Sequence, residues 1–214
     1  MALDDARGLT AVDLERFQPA SPKEQMTLRS RHGLDPDAFV VLHVGHLNRG
    51  RNVGLLGRLQ RDPPRPRTQV VVVGSTSTPQ DAELAMELTD AGVRVIGRHV
   101  AEIAEVYRLA DCYVFPVVSR SSSIDVPLSV LEAMACDLPV VTTRFGGLTD
   151  LFHSGPGLCF VDNPAEIGGA VAACAAGPCG TRQMVAPYAW PRATRRFLDI
   201  VEEALELGGK QGES

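Results

Sequence analysis

Six short, almost unbroken apolar runs limit what this chain can fold into: Phe39–Gly45 (FVVLHVG), 69–74 (QVVVVG), 93–97 (VRVIG), 112–118 (CYVFPVV), 139–143 (PVVTT) and 158–162 (LCFVD). A strand covered on one face alternates apolar with polar residues; these do not alternate, so both faces must be covered, as in a parallel sheet between helices. Helical patterns fall between and after them, at 52–61, 79–91, 101–110, from about Pro127, near 147–153 and at 164–176. Six strand–helix alternations imply right-handed crossovers. The fold expected is therefore α/β, a doubly wound, Rossmann-like, six-stranded parallel sheet of order 3-2-1-4-5-6.

Around that body the chain divides simply. Residues 1–37 read as a linker and a surface helix at 21–32, with Ser21 as cap, Pro22 at the first helical position and Glu24 at capping-box spacing. Residues 38–187 carry the sheet and end in a Pro/Gly-containing link, 177–187. Residues 188–207 form a closing helix in which Trp190, Phe197, Val201 and Ala204 or Leu205 fall on one stripe. The first ten residues and the tail 208–214 carry no pattern and are expected to be loose.

Composition serves mainly to exclude. The 214 residues are 44% hydrophobic and 22% charged with a net charge of −5, which suits one cored α/β domain and offers no basic face for nucleic acid. The basic run 58–67 reads as a solvated loop. No apolar stretch reaches the ~18 residues of a membrane span, and no secretory leader opens the sequence. Five cysteines, at 112, 136, 159, 174 and 179, include no C-x-x-C pair. An odd number, with Cys112, Cys136 and Cys159 inside apolar runs, reads as buried thiols in a reducing, cytoplasmic compartment.

In an open parallel sheet the ligand sits beyond the carboxyl ends of the strands, where strand order reverses. That rule gathers Gly45, His46, Asn48, Arg49, Arg51, Arg98, His99, Ser119 to Asp125 and Gly146–Gly147 around one crevice. Arg49 and Arg51 opposite the helix start near Pro127 make a phosphate site, because helix N-termini carry unpaired N–H groups and arginine forks onto phosphate oxygens. His43, within a strand, reads as a packed core residue. In the helix after Pro127, Leu128, Leu131 and Ala135 are expected to face the core. Glu132 has Leu128, Ser129, Ala135 and Cys136 one turn away and no charged partner. It is either a surface acid that merely lacks charged neighbours or a carboxylate facing a polar ligand in the crevice.

Rival chemistries leave weaker traces. The first strand ends G-H-L-N-R-G rather than G-x-G-x-x-G, and the second carries no acid for a ribose. There is no Walker A loop, no serine nucleophile elbow and no metal-ligand spacing.

Four stretches in order resemble a known family, the retaining glycosyltransferases of family 4, built from two Rossmann-like domains in the arrangement called GT-B. PLSVLEAMACDLPVV followed by TTRFGGLTDLF is similar to their most specific motif, VGHLNRGR to their G-R-L-x-x-x-K-G, IGRHVAEIAEVYRLADCYVFPV to their base-binding loop and following strand, and YAWPRATRRFLDIV to their closing helix. The resemblance covers about residues 11–206 and is to the carboxyl-terminal, donor-binding domain. It implies a nucleotide-diphosphate sugar as donor substrate, with no cofactor and no metal. Glu132 would bind the ribose hydroxyls, Arg51 would meet the pyrophosphate, and the base would lie by Arg98, His99 and Val100. Ser123, Asp125 and Leu128 count with these contacts. Arg51 and His46 would act on the departing diphosphate.

The departures from the family pattern are specific. Ile124 stands where the family has the acid that contacts the sugar, with Asp125 one place away; His46 replaces an arginine; Pro127 replaces a glycine. The family's amino-terminal acceptor domain has no counterpart here. The expected partners are therefore the nucleotide sugar together with a separate acceptor-domain polypeptide, through which the chain would sit at a membrane, or a second copy of this chain docked through the closing helix.

Overall fold

The computed structural model describes residues 10–174 and 177–211, with side chains through residue 203. All six strands pair in parallel: β1 (Phe39–Gly45), β2 (Thr68–Gly74), β3 (Arg94–Ile96), β4 (Cys112–Phe115), β5 (Val140–Thr143) and β6 (Leu158–Val161), in the order β3-β2-β1-β4-β5-β6. The register runs Phe39 against Thr68 through Gly45 against Gly74 between β1 and β2, and Val41 against Cys112 across the reversal between β1 and β4. This is the order the sequence predicts.

Helices cover both faces, and alternate residues of each strand supply two separate cores. On one face Leu42, Val71, Tyr113 and Val140 pack with α1 (Pro22–Arg31), α4 (Ile103–Arg108), α5 (Leu128–Ala135) and α8 (Thr181–Val185). On the other, Val41, Val72, Val114 and Val141 pack with α2 (Leu55–Arg61), α3 (Ala82–Asp90) and α7 (Ile167–Ala173). The short α6 (Leu148–Leu151) follows β5, and α9 spans Trp190–Gln211.

Several sequence expectations change. The 177–187 link is not mere connection: it contains α8, seated by Thr181, whose hydroxyl donates to the Leu138 carbonyl at 2.9 Å, and by Arg182, which reaches Phe17 and Leu14 carbonyls at 2.7 and 2.9 Å. Helix α1 is polar, as expected of a surface helix, yet Arg29 is buried and donates to the Leu109 and Ala38 carbonyls and to Asp111. Leu128 does not face the core; it is 46% exposed, and the buried stripe of α5 is Val130, Leu131, Ala133, Met134 and Ala135. Helix α9 continues to Gln211, so the proposed loose tail is helical over 208–211, while 212–214 and residues 1–9 lie outside the described residues. The stripe of α9 is exposed at Trp190, Phe197 and Val201 rather than packed; the side chains of Ala204 and Leu205 lie outside the described residues.

The leading segment is tied to the far end of the chain. Val12 pairs with Ala189 in a parallel bridge, its N–H donating to the Tyr188 carbonyl at 2.9 Å while its own carbonyl accepts the Trp190 N–H at 3.1 Å.

Candidate functional site

The carboxyl ends of the strands are stitched loop to loop. After β1, His46 Nδ1 shares a 2.6 Å hydrogen bond with the Thr78 hydroxyl of the loop after β2. Gln80 donates to Ser75 and Gly97 carbonyls, both at 3.1 Å, which ties the ends of β2 and β3. Gly50 lies so close to the loop after β4 that an added Cβ would meet Ser122 Oγ at 3.0 Å. That loop is in turn held to the turn after β5, where Gly147 N–H donates to the Asp125 carbonyl at 3.0 Å. One continuous rim results, with the β1–β4 reversal at its centre.

Arg51 stands at that centre. Asn48 closes a single 3-10 turn by accepting the Arg51 N–H at 3.1 Å. The turn folds the guanidinium back over Gly45, where a Cβ would come within 2.8 Å of Arg51 Nη1 and 3.1 Å of His43 Nε2. A side chain at residue 45 would displace the arginine, so the glycine is a steric requirement. Arg51 is buried, and its Nε has no hydrogen-bond partner among the described residues. His43 is fully buried beside it. Its Nδ1 bonds the Val114 carbonyl at 2.9 Å and its Nε2 is unpartnered. Burial and the nearby Arg51 charge hold His43 neutral, with a pKa lowered to about 4 despite the Val114 bond.

Tyr113 of β4 lies within reach of both the cation and the acid. Its hydroxyl donates to the Val44 carbonyl at 3.1 Å and is held protonated by burial; the charges of Glu132 and Arg51 both bear on it, and Ser129 bonds it. Glu132 and Arg51 thus both lie near enough to Tyr113 for their charges to act on its hydroxyl. The Glu132 carboxylate is half-buried and accepts the hydroxyl of buried Tyr107 at 2.6 Å. Burial raises its pKa above the ordinary carboxylate value, against the Tyr107 bond and the Arg16 charge.

The remaining predicted residues are placed less uniformly. Arg49 is turned away from the rim toward α3, where Glu87 takes it in a two-pronged contact at 2.6 and 3.1 Å and Asp81 and Glu83 approach at 3.5 and 3.7 Å. The sequence pair of arginines therefore supplies one cation to the crevice. His46 is a weak cation, because partial burial and the Arg51 charge lower its pKa. Arg98 and His99 are exposed and Val100 is half-buried; Arg98 and Val100 also border a cavity of about 1170 Å³ along β3. Ser123 is half-buried, while Ile124, Asp125 and Leu128 are exposed. Pro127 caps α5 from outside, with ψ 118, instead of opening it.

Sequence reasoning missed Tyr107, Tyr113 and Thr78 altogether. Only Tyr113 carried a signal, as a polar tip at the centre of an otherwise apolar strand.

Residues 38–176 match the family described as glycosyl transferases group 1. The chain belongs to the group 1 glycosyl transferases. Among group 1 relatives, the D-inositol 3-phosphate glycosyltransferase of Geodermatophilus obscurus is 33% identical over 91% of this chain and 46% of its own length. A second, from Catenulispora acidiphila, is 31% identical over 92% and 51%. The chain thus spans about half the length of these curated relatives. Solved structures share the fold: sucrose-phosphate synthase from Thermosynechococcus elongatus superposes with a TM-score of 0.72 at 19% identity, over 92% of this chain and 52% of that one. Anabaena HepE, crystallised with UDP-glucose, gives 0.65 at 20% identity, over 94% and 56%. The carboxyl-terminal domain of a Francisella tularensis group 1 protein gives 0.60 at 18% identity and is covered over 98% of its length. This group 1 chain accordingly has the fold of one half of a GT-B glycosyltransferase. No helix among its described residues is long and apolar enough to cross a membrane.

Proposed function

We propose that this chain is the donor half of a retaining, family 4 glycosyltransferase, binding a nucleotide-diphosphate sugar for hexose transfer to an acceptor held by a further domain. The observation that carries this reading is that Glu132 and Arg51 are both near enough to Tyr113 for their charges to act on it, on the strand beside the reversal of strand order. In it Glu132 takes the ribose hydroxyls and Arg51, aided by the first N–H groups of α5, takes the diphosphate. Departure of the diphosphate builds charge beside Arg51, whose burial strengthens the attraction. His46 serves as a hydrogen-bonding group more than as a second cation. Exposed Ile124 offers a sugar no polar contact. The ligands bound by similar proteins, UDP-glucose among them, support the same substrate class.

Isothermal titration with UDP, GDP and their sugar conjugates tests the reading. Arg51→Ala should weaken diphosphate binding about tenfold or more, since a charge-assisted hydrogen bond is worth roughly 1.5–3 kcal/mol. Absence of binding by any nucleotide diphosphate at millimolar concentration would refute it.

One observation favours a second reading, a homodimeric binding module. Trp190, Phe197, Leu198 and Val201 are exposed together on α9, and an apolar stripe of that kind marks an interface. A monomer in sedimentation at all concentrations would remove it.

A further inference from the structure

The half-buried carboxylate of Glu132 has one hydrogen-bond partner among the described residues, the Tyr107 hydroxyl, which donates to Oε2 at 2.6 Å. Its Oε1 has none, and it is not among the buried unpartnered atoms, so it reaches solvent. Tyr107 itself is completely buried, its ring edge-on to Phe17 at 5.6 Å and tilted against Tyr113 at 5.9 Å. Two aromatic neighbours fix the ring, the ring fixes the hydroxyl, and the hydroxyl fixes one carboxylate oxygen.

We propose that Tyr107 is a positioning residue for nucleotide recognition: by holding Glu132 Oε2 it turns Oε1 toward the crevice and sets the selectivity of the site for a ribose over a deoxyribose. This rests on the reading of Glu132 as the ribose acid. The physical reason is that a carboxylate on a glutamate has a freely turning last torsion. A ribose offers its two adjacent hydroxyls in one fixed direction, so an acid that must meet them gains from having its rotation stopped beforehand. Tyr107 suits the task because its hydroxyl carries a proton to donate to the carboxylate. Burial and the adjacent Glu132 charge raise its pKa well above the ordinary phenol value, so the proton stays on the tyrosine. The pair also lies 25 residues apart in sequence, on α4 and α5. The geometry is therefore set by how these two helices pack and not by either helix alone.

The test compares UDP, GDP and ADP with their 2′-deoxy counterparts by titration calorimetry on the wild-type chain, Tyr107→Phe and Glu132→Ala. Tyr107→Phe keeps the ring and its packing, so the fold should survive, and circular dichroism checks this. The expected result is a wild-type preference for the ribonucleotide of about tenfold, the worth of one good hydrogen-bonded contact, which falls to threefold or less in Tyr107→Phe while affinity for the deoxynucleotide stays within twofold. An equal loss for both nucleotides would mark Tyr107 as a packing residue and overturn the proposal. So would an unchanged preference in Tyr107→Phe alongside a preference abolished in Glu132→Ala, which would leave Glu132 as the ribose acid. A preference that survives Glu132→Ala, or no binding of any of the nucleotides, would remove the donor-site reading and this inference with it.

Discussion

The carbonyl oxygen of Asp125 accepts the Gly147 N–H at 3.0 Å and lies against the Cα of Gly146, which holds a left-handed φ of +54°. Two loops from different strands are locked together at a point with no room for a side chain. Gly146→Ala would place a methyl group into that carbonyl and force a backbone conformation that alanine resists. It should cost about 2 kcal/mol or more, seen as a drop of roughly 5 °C in Tm, and should loosen the loop that carries Ser123.

The ion pairs of α1 give a contrast between a buried and an exposed arginine. Arg29 meets Asp111 at 2.6 Å with both side chains largely hidden, and Asp111 also accepts the Val40 N–H at 2.7 Å. Arg29→Ala strands that carboxylate and should lower stability by about 3–5 kcal/mol. Arg31 meets Glu105 at 2.8 Å but is 59% exposed, so Arg31→Ala should cost about 1 kcal/mol or less. Urea denaturation of the two variants checks both.

Acid should find His43. Its pKa falls from 6.5 when unfolded to about 4 when buried, so between those values the unfolded chain binds the extra proton and the folded one refuses it. Stability is therefore complete above pH 6.5 and declines as pH drops toward 4, by up to ~3 kcal/mol at about 1.4 kcal/mol per pKa unit. His43→Gln, which keeps a donor for the Val114 carbonyl, should flatten that part of a Tm-against-pH profile.

Glu132 should behave in the opposite sense. Its pKa is raised in the folded state, so the folded chain holds its proton more tightly and the ionised form weighs against folding as pH rises through the folded value. Glu132→Gln should accordingly raise Tm at pH 7, with the gain fading as pH falls from the raised folded value toward the ordinary carboxylate pKa, while nucleotide affinity declines. A variant that is more stable and binds less is what a site residue predicts; a less stable one would point to a packing role.

The sheet could be read from the sequence because the central strands are apolar on both faces, a pattern that needs no knowledge of their neighbours. The site was only partly readable, for a physical reason visible in its residues. Arg49 and Arg51 look equivalent in the string RGR, but the acids Asp81, Glu83 and Glu87, more than 30 positions away, claim the first and leave the second. Glu132 stood out by its lack of local partners, whereas the hydroxyl that holds it comes from another helix. Helix α8 was hidden by its flanking Gly and Pro and by its five-residue length, too short to show an apolar period although Val185 is in the core, and Thr181 and Arg182 seat it by reaching distant carbonyls.

That reach by Arg182 has a bearing on how the chain is made. Its contact with Phe17 joins positions 165 apart, so on the ribosome the first residues wait, with their carbonyls in water, while every strand of the sheet is synthesised. The sheet can assemble before the clasp closes. The clasp can close only after every strand has been made, and a nascent chain stalled before Arg182 should be the form that proteases cut near Leu14.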